Sequence, residues 1–403
     1  MIKAGYLSDH FVGVGAKRLT KVEVDGSASN QHEFQGINRL KKVLGTPIDK
    51  VKFDSVFYKL TDDKEIEFIE GFSTWSDVRR DNDKRSAEYH LYYSSDAGSL
   101  VQSMSPDDLL IVARKQDDGL SVFLCEQGSS RERQLMWLFG LSENLDRLEV
   151  QEIKESNNKQ LLFAARSILD ELGIEIETAD DNWLERILSE FGNKFPTTRL
   201  FSEFARETVG EVSVRDDPDG TIMSWIEHEE MLFRTLERHI VSERIDAGFE
   251  NDVDSFISFS LSVQNRRKSR VGHALEHHLE EVFRRNEIPY TRGGMTENRA
   301  KPDFLFPGVS EYHDSDYLES SLYMLGVKST CKDRWRQVLS EANRIKDKHL
   351  FTLEPGISVN QTNEMQASSL LLVLPKDLHI TFEDNQQSWL MSLGEFVEQV
   401  RNP

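Results

Sequence analysis

Cysteine is scarce in this sequence, and long apolar segments are missing. Of 403 residues two are cysteines, Cys125 and Cys331, which lie far apart and form no CxxC pair. This usage fits a reducing cytoplasm and argues against a zinc site. No apolar run approaches the roughly 18 residues of a membrane span, and the N-terminus lacks the apolar segment of a secretory signal. We therefore expect a cytoplasmic protein that has no membrane partner.

A net positive charge is also absent. The formal net charge is -21 at pH 7, whereas nucleic-acid-binding proteins are often basic overall. Because the Debye length is about 8 Å at physiological salt, the local charge matters more than the sum. Lys and Arg outnumber Asp and Glu in segments 263–301 and 326–348, and acidic residues concentrate elsewhere, for example in 216–219. These basic strips are compatible with DNA binding by an otherwise acidic protein.

The length and the composition indicate a globular protein of two or three domains. The 38% hydrophobic and 30% charged residues are typical of folded proteins, and 403 residues are too many for one ordinary core. Residues 1–150 predict a mostly-β domain, a barrel or sandwich, from short runs with alternation or β-branched and aromatic residues. These predicted strands lie at 17–24, 52–60, 65–69, 88–93, 109–114 and 120–125, with one helix at 36–44. Apolar residues at helical spacing predict a helical connector over 151–196.

Helices and strands alternate from about residue 197 to the C-terminus. The patterns predict helices at 199–211, 224–245, 253–263, 272–286, 335–346 and 389–400. They predict strands at 304–306, 323–330, 349–352 and 370–374. A helix before the strands and a crossover helix between them imply a mixed α/β sheet that is flanked by helices. We take 197–403 as one domain.

Charged residues at the ends of two predicted strands form a candidate active site. Asp303 opens one strand and Lys328 ends the next, and neighbouring strands lie about 4.8 Å apart, so both side chains can face one phosphate. Glu341 follows on the predicted helix and can point back over the strand ends, and Glu276 could supply a further carboxylate. Carboxylates bind hard divalent cations, which activate water for phosphodiester hydrolysis. Asp303 and Glu341 are therefore the predicted metal ligands.

The same charges have a simpler explanation as ordinary strand-end residues, because a short pattern of Asp and Lys is frequent by chance. Two features favour the active site. Lys328 lies almost inside an apolar strand, where an unpaired charge is costly. Behind it, Lys332, Asp333, Arg334 and Arg336 flank a tryptophan, and such side chains are suited to read G·C base pairs. The alternative for this segment is a helix-capping aspartate between solvated cations.

Further DNA contacts are predicted from amide and basic side chains elsewhere. One basic run is suited to grip phosphates and comprises Asn265, Arg266, Arg267, Lys268 and Arg270. Two N-terminal loops carry side chains of the kind that reads base edges, namely Asn30, His32, Arg79, Arg80 and Arg85. Ordinary solvated loops explain the composition of these two loops equally well.

Three histidines lie close together on the predicted helix 272–286. His273 and His277 are four residues apart and could form a metal-binding pair. However, no HExxH motif surrounds them and no third ligand is evident in the sequence. The favoured interpretation is that they line, with His278, a helix surface that faces DNA.

The segments described above resemble the C-terminal catalytic domain of the EcoRII restriction endonuclease family. The similarity extends from about residue 197 to the C-terminus and is densest at 265–270, 275–276, 301–307, 312–314, 327–328, 330–337 and 349–353. The resemblance implies a restriction-endonuclease-like PD-(D/E)XK fold and Mg²⁺-dependent cleavage of double-stranded DNA. It also implies action as a homodimer.

The resemblance further implies roles for single residues. In this family the second acid is displaced from its usual place, two residues before the lysine, to the following helix, and here Gly326 stands in the usual place. Asp303, Lys328 and Glu341 are then catalytic, with Glu276 as a supporting carboxylate. Relatives with a Lys/Arg, acid, Arg triplet read CC/GG flanks, which points to Lys332, Asp333 and Arg334 here.

The N-terminal half is similar to the family's effector domain at 17–19 and 30–32. That resemblance implies a B3-like pseudobarrel that binds a second copy of the site and relieves autoinhibition. At 223–230 the chain lacks the family's arginine run beside the flipped central base. The main hypothesis is a type II restriction endonuclease. The alternatives are a phage-defence nuclease whose N-terminal domain senses modified DNA or another ligand, and an inactive DNA-binding protein with a nuclease fold.

Overall fold

The computed structural model describes residues 7–25, 32–62, 64–80, 84–142, 145, 147–153, 163–174, 180–331 and 334–402. Within these residues the strands form two sheets, one of eight strands and one of five. Of the helices in the same residues, none has the length and the apolar character needed to cross a membrane.

The first sheet lies in the N-terminal part of the chain. Its strands are β1 (Phe11–Arg18), β2 (Glu33–Phe34), β3 (Val51–Leu60), β4 (Glu67–Asp77), β5 (Tyr89–Tyr93), β6 (Leu109–Lys115), β7 (Leu120–Cys125) and β8 (Glu149–Glu152). They are arranged in the order β2-β5-β4-β3-β7-β6-β1-β8. Paired strands are antiparallel except β3 and β7, which are parallel. The prediction of a mostly-β N-terminal region is confirmed.

Both faces of the first sheet are covered. Its central strands can be buried on both sides because they are apolar at successive positions. In β6, Leu110 and Val112 belong to one buried cluster and Ile111 and Ala113 to another, as the two-residue period of a strand requires. The helices over these faces and at the sheet's ends are α1 (Leu7–His10), α2 (Lys21–Val24), α3 (Lys41–Leu44), α4 (Gly98–Gln102), α5 (Ser130–Phe139) and α6 (Phe163–Glu171). Of these, α5 and α6 pack on the same face.

The predicted strand at 17–24 is wrong in its second half. Strand β1 ends at Arg18, and helix α2 follows. Thr20 and Glu23 form a capping box, in which the backbone N of Thr20 donates to Glu23 Oε2 at 2.8 Å. Lys17 Nζ also donates to the Glu23 carboxylate, at 2.7 Å. This local bonding outweighs the strand preference of the apolar residues.

A layer of helices connects the two sheets. It contains α7 (Asp181–Phe191), α8 (Thr198–Thr208), α9 (Pro218–Ala247) and α10 (Val253–Arg285). Ile187 of α7 is fully buried in one cluster with Phe201 and Phe204 of α8 and Leu232 of α9. The helix α7, which lies in the predicted connector, therefore shares a core with α8 and α9.

Helix α10 is continuous, whereas the sequence predicts two helices separated by the basic run. Neither glycine nor proline interrupts residues 253–271, and Gly272 is accommodated within the helix. Arg267 and Arg270 lie three positions apart and both point toward α9, where Glu237 and Glu229 accept their hydrogen bonds. The basic side chains that separate the two predicted helices therefore connect α10 to α9.

The second sheet is mixed and contains the strands predicted for the C-terminal domain. Its strands are β9 (Thr291–Arg292), β10 (Phe304–Phe306), β11 (Tyr323–Val327), β12 (Lys348–Phe351) and β13 (Leu370–Val373). The order is β13-β12-β11-β10-β9, with β9, β10 and β11 antiparallel and β11, β12 and β13 parallel. The remaining helices are α11 (Val309–His313), α12 (Trp335–Leu339), α13 (Val359–Ala367), α14 (Asp384–Gln387) and α15 (Leu393–Arg401). Short 3₁₀ helices lie at Asn38–Leu40, Ser95–Ala97, Glu297–Arg299, Glu319–Ser321 and Lys376–Thr381.

Aromatic side chains from three elements pack on one face of the second sheet. The Phe283 ring of α10 lies 5.2 Å from Phe304 and 5.0 Å from Phe306, between ring centroids. Phe396 of α15 lies 5.6 Å from Phe306. All four rings are buried, so α10 and α15 are fixed against the strand that begins beside Asp303.

Helix α12 is shorter than the predicted helix 335–346. It ends at Leu339, and the chain then turns, with Ala342 at a φ of 48°. Lys348 Nζ donates to the carbonyl oxygens of Ala342 and Ile345, at 3.2 and 2.7 Å. Arg344 donates to the carbonyl oxygen of Tyr312 at 2.6 Å. These side-chain bonds satisfy carbonyl groups and hold the turn where the periodicity predicts further helix.

Candidate active site

Asp303 and Lys328 meet where strands β10 and β11 pair. The strands are antiparallel with Phe304 opposite Leu325, so the start of β10 lies beside the end of β11. The backbone N of Val327 donates to Asp303 Oδ2 at 2.7 Å, and Lys328 Nζ donates to the same oxygen at 3.3 Å. The structure thus brings together the two residues that the sequence singles out, at a partly exposed edge.

Glu341 approaches this pair from the turn after α12. It lies two residues beyond the helix end rather than on the helix, which corrects the predicted placement. Its Oε2 is buried and accepts no hydrogen bond from the described residues. Burial raises the pKa of Glu341, an effect that Lys328 opposes and that the neighbouring Asp303 carboxylate adds to. The Glu341 carboxylate therefore lies close enough to Lys328 and Asp303 to be influenced by their charges.

The geometry at Gly326 agrees with the predicted displacement of the second acid. A Cβ at this position would lie 2.9 Å from Val338 Cγ2 and 3.1 Å from Val338 Cγ1. These distances are shorter than the roughly 3.5–4.0 Å of an ordinary carbon contact. Helix α12 therefore occupies the space that a carboxylate side chain would need two residues before Lys328. Glu341, the predicted second acid, lies on the turn that follows the same helix.

Residues for which the sequence predicts no individual role hold the turn carrying Glu341. Glu297 accepts a hydrogen bond from the Tyr312 hydroxyl at 2.6 Å and another from the backbone N of Asn343 at 3.2 Å. The backbone N of Arg344 donates to the Tyr312 hydroxyl oxygen at 3.2 Å. Burial, together with the nearby Glu297, raises the pKa of Tyr312 to about 12. No spacing signal in the sequence identifies this network, because its members come from separate segments.

The carboxylates fit a divalent cation that prefers oxygen ligands. Mg²⁺ typically binds one or two protein carboxylates and keeps several waters, and Asp303 and Glu341 supply two. The unpaired, buried Oε2 of Glu341 is the kind of polar atom that such an ion would satisfy. Over the residues that the structure describes, no group of three or more His, Cys, Asp or Glu side chains could hold a metal ion.

Glu276 lies on α10 and is held by an arginine. Arg292 Nη2 donates to Glu276, and Arg292 Nη1 donates to Glu280 at 2.9 Å. Arg292 is paired with Phe304 across β9 and β10, so Glu276 borders the sheet next to the strand that Asp303 precedes. The role of Glu276 as a supporting carboxylate remains a prediction.

The basic run on α10 divides between the surface and the interior. Asn265 and Lys268 are exposed, whereas Arg266 lies over an aromatic ring at 4.0 Å. Arg267 donates to Glu237 at 2.7 Å and is partly exposed. Arg270 is 6% exposed and forms ion pairs with Glu229 and Glu230. The structure corrects the prediction for Arg270, since its charge is neutralised between α9 and α10.

The segment after Lys328 carries the predicted base-reading residues. Lys332 and Asp333 lie outside the described residues. Arg334 is exposed, and its Nη2 donates to the Thr330 hydroxyl at 2.7 Å. Arg336 is exposed, lies over the ring of the neighbouring tryptophan at 4.6 Å and donates to a glutamate of α13. Contact with DNA by these four residues stays a prediction.

The three histidines of α10 occupy different environments. His278 is fully buried with its Nε2 2.9 Å from Glu229 Oε2, so the prediction that it faces DNA is wrong. His277 contacts Arg292, and burial lowers the pKa of His277 to about 4. His273 is exposed. One member of the i, i+4 pair, His277, therefore contacts a guanidinium group, which is an unfavourable neighbour for a cation.

The predicted N-terminal contacts are only partly described. Asn30 lies outside the described residues. The His32 ring packs edge-on against a tyrosine at 5.4 Å between centroids. Arg79 forms an ion pair with a glutamate across its loop, and Arg80 and Arg85 are exposed. A role for these residues in DNA binding stays a prediction.

Comparison with known proteins relates this geometry to restriction enzymes. Residues 233–397 match a family model described as EcoRII C terminal. Over 282 residues the chain is 34% identical to the type II restriction enzyme EcoRII of Escherichia coli, covering 70% of this chain and 69% of that enzyme. Two solved structures are more distantly similar. The structure of metal-depleted Ecl18kI in complex with uncleaved, modified DNA is 17% identical in sequence to this chain. The match covers 55% of this chain and 84% of the Ecl18kI chain, with a TM-score of 0.44. The structure of the restriction endonuclease PspGI with its substrate DNA is 14% identical in sequence. The match covers 55% of this chain and 91% of the PspGI chain, with a TM-score of 0.40. The resemblance seen in the sequence is confirmed, and the chain belongs to the EcoRII family of type II restriction enzymes.

Proposed function

We propose that this protein is a Mg²⁺-dependent endonuclease that hydrolyses phosphodiester bonds at a specific sequence in double-stranded DNA. The observation that carries the proposal is the convergence of Asp303, Lys328 and Glu341, in which one buried carboxylate oxygen has no hydrogen-bond partner among the described residues. Membership of the EcoRII family supports the same reaction.

In this proposal each of the three residues has a distinct task. Asp303 and Glu341 hold the metal, and when bound, Mg²⁺ activates water and offsets charge on the phosphate. Asp303 is oriented for this by the backbone N of Val327. The ammonium group of Lys328 lies beside the Asp303 carboxylate, with its Nζ 3.3 Å from Asp303 Oδ2. From there it can orient the attacking water and stabilise the negative charge that develops on the phosphate in the transition state.

The positions of the basic residues support a division between cutting and reading. Lys332, Asp333 and Arg334 follow the catalytic lysine closely in the sequence and are proposed to read G·C pairs in CC/GG flanks. The exposed Asn265 and Lys268 are proposed to bind phosphates, together with Arg266 and Arg267 of the same run. Arg270 is left out of this set because it is buried.

The proposed enzyme acts as a homodimer, so that two copies of the site face the two strands. The N-terminal domain, residues 1–150, is proposed to bind DNA and regulate cleavage. Residues 151–196 and 197–403 are proposed as the connector and the endonuclease domain. In support of a regulatory arrangement, Arg133 of α5 donates to the carbonyl oxygen of Thr381 at 2.9 Å and to Glu383 at 3.0 Å, across the two sheet-containing parts.

A plasmid-cleavage assay tests the proposal. Wild-type protein should convert unmethylated plasmid to discrete fragments with Mg²⁺ and not with EDTA, and sequencing the ends gives the site and the stagger. Lys328→Ala should lower the rate by at least about 100-fold, the usual cost of removing one group that stabilises transition-state charge. The matched control is Lys346→Ala, because Lys346 is an exposed lysine on the nearby turn. Absence of Mg²⁺-dependent cutting on several DNAs, or equal rates for the two variants, would refute the proposal.

The N-terminal domain needs a separate measurement. In a footprint, the full-length protein should protect two copies of the site, one bound by the endonuclease domain and one by the N-terminal domain. Arg80→Ala/Arg85→Ala should lose protection of the copy bound by the N-terminal domain and retain protection of the other copy. Unchanged protection in this variant would favour a domain that senses something other than this DNA.

A further inference from the structure

A buried carboxylate lies behind the loop that carries the active-site lysine. Glu354 is 9% exposed and follows strand β12 by three residues. Its Oε2 accepts a hydrogen bond from the backbone N of Cys331, and its Oε1 accepts one from Gln134 Nε2 at 3.3 Å. Burial raises the pKa of Glu354, and these two donors oppose that rise. Isolated buried carboxylates are costly, so a carboxylate kept here needs an explanation.

The contacts of Glu354 fix one end of a short loop whose other end is fixed by strand β12. Strands β11 and β12 are parallel, and the backbone N of Lys328 donates to the carbonyl oxygen of Phe351 at 3.0 Å. Three residues further along each chain segment, Glu354 accepts from Cys331. The loop from Lys328 to Cys331 is therefore held at its first residue by a carbonyl oxygen and at its last by a carboxylate.

Both functions proposed for this region depend on that loop. Lys328 begins it, and the proposed base-reading triplet begins at the residue after Cys331. Arg334 is tied back to it, since its backbone N donates to the carbonyl oxygen of Cys331 at 2.7 Å. A shift of Cys331 would therefore move the reading residues relative to the reacting phosphate.

The second donor to Glu354 comes from the N-terminal part of the chain. Gln134 of α5 is 2% exposed, and its Nε2 also donates to the carbonyl oxygen of Pro355 at 3.1 Å. Its Oε1 accepts from Arg131 Nη1 at 3.0 Å, which sets the orientation of the amide. Gln134 thus links α5 to both Glu354 and Pro355 at a buried position.

We propose that Glu354 is a positioning residue that holds the loop from Lys328 to Cys331 for cutting and base reading, and that Gln134 couples this hold to docking of the N-terminal domain. The proposal rests on the proposed function for its effect on DNA, but the hold on the loop is a property of the protein alone. With α5 docked, Glu354 has both donors and the loop is most ordered. When α5 moves away, one donor is lost and water reaches the carboxylate.

Hydrogen–deuterium exchange of the full-length protein tests the hold without requiring activity. Glu354→Leu removes the acceptor for Cys331 and should speed amide exchange in a peptide covering 328–336 by about 10-fold or more, as expected for losing a hydrogen bond to a charged group. Glu354→Gln keeps a side-chain carbonyl oxygen and should stay within about threefold of wild type.

A matched control for Glu354 is Asp219. Its carboxylate is half-buried and accepts hydrogen bonds from the backbone N of Leu393 at 2.8 Å and of Gly394 at 2.9 Å, away from the loop. Asp219→Asn should leave exchange in 328–336 unchanged. Equal exchange in Glu354→Leu and wild type, or an equal effect of Asp219→Asn, would overturn the proposed hold.

The coupling is tested by two variants of α5. Gln134→Leu removes the donor to Glu354, whereas Arg133→Met removes contacts of the same helix with Thr381 and Glu383. Gln134→Leu should speed exchange in 328–336 by about threefold to 10-fold, and Arg133→Met should not. If both variants act alike, α5 affects the loop only through docking as a whole, and the specific role of Gln134 is wrong.

Cleavage assays then separate positioning from simple structural support. Single-turnover rates are measured on the cognate site and on sites with one substituted flanking base pair. Glu354→Leu should lower the cognate rate by about 10- to 100-fold and reduce the ratio between cognate and substituted sites, with Glu354→Gln restoring most of both. A uniform loss with an unchanged ratio would contradict positioning of the reading residues. If wild type cuts no DNA, the proposed function fails, while the exchange data still decide the hold on the loop.

Discussion

Replacing Gly326 by alanine tests the reason given for the displaced acid. The new Cβ would lie 2.9 Å from Val338 Cγ2 and 3.1 Å from Val338 Cγ1, on a side chain that is fully buried. Valine is branched at Cβ and has few alternative rotamers, so its methyl groups cannot simply turn aside. Helix α12 must then move away from strand β11.

The size of the effect follows from these distances. Adding one methyl group to a well-packed core costs about 1–3 kcal/mol. The loss of backbone freedom in the unfolded chain offsets about 0.4–1 kcal/mol when alanine replaces glycine. We therefore expect Gly326→Ala to lower the free energy of unfolding by about 1–2 kcal/mol. Val338→Ala alone should cost on the order of 2 kcal/mol for the methyl groups removed.

The double variant provides the sharpest measurement. In Gly326→Ala/Val338→Ala the clashing methyl groups are absent, so the two costs should fail to add by about 1 kcal/mol or more. Urea unfolding of the three variants and wild type gives this coupling energy. Cleavage should also fall in Gly326→Ala, because the backbone N of Glu341 donates to the carbonyl oxygen of Val338 at 3.1 Å and follows any movement of it.

Two outcomes would refute the steric explanation. One is a Gly326→Ala protein whose stability equals that of wild type. The other is a double variant whose loss equals the sum of the single losses, which would show that Cβ of residue 326 and the Val338 side chain do not interact.

Three further predictions concern buried charge, acid stability and the metal. Arg270→Met should lower the free energy of unfolding by about 3–5 kcal/mol because it removes the buried guanidinium that pairs with Glu229 and Glu230. The exposed Lys268→Met should change it by less than about 0.5 kcal/mol, and equal losses in the two variants would contradict a buried ion pair at Arg270. Burial lowers the pKa of His349 to about 4 in the folded protein. As the pH falls from about 6.5 to 4, this histidine is protonated in the unfolded chain but not in the folded one, so the free energy of unfolding should fall by about 1.4 kcal/mol for each pKa unit. His349→Phe should flatten this part of a curve of stability against pH. Mg²⁺ at about 100 times its Kd should stabilise wild type by about 2.7 kcal/mol, and Glu341→Gln should lose most of that gain in thermal unfolding.

The sequence predicts the central strands and the core of the site because their signals are local. β10 and its preceding Asp303 form one short apolar run, and Lys328 ends another, so pairing the two strands is enough to bring the side chains together. The position of Glu341 after Lys328 and the resemblance to the EcoRII family both predict it as the second acid, and at Gly326 the structure leaves no space for a carboxylate side chain at the family's usual place.

Other features depend on contacts between distant segments, which no local pattern reveals. The sequence predicts that Arg267 and Arg270 bind phosphates, whereas in the structure they donate hydrogen bonds to Glu237 and Glu229 of α9. Helix α12 ends early because side chains beyond it, such as Lys348, bind carbonyl oxygens in the turn. The contact between Gln134 and Glu354 joins residues 220 positions apart.

The burial of both cysteines gives each part of the chain its own chemical reporter. Cys331 and Cys125 are 0% exposed, one in the active-site loop and the other at the end of β7, and burial raises the pKa of both thiols. Thiol reagents attack the thiolate, so labelling of either residue requires the surrounding structure to open first. The rate of labelling at each cysteine therefore measures how often the loop and the first sheet open. With two cysteines in the chain, mass spectrometry of unmodified wild-type protein can time these openings separately.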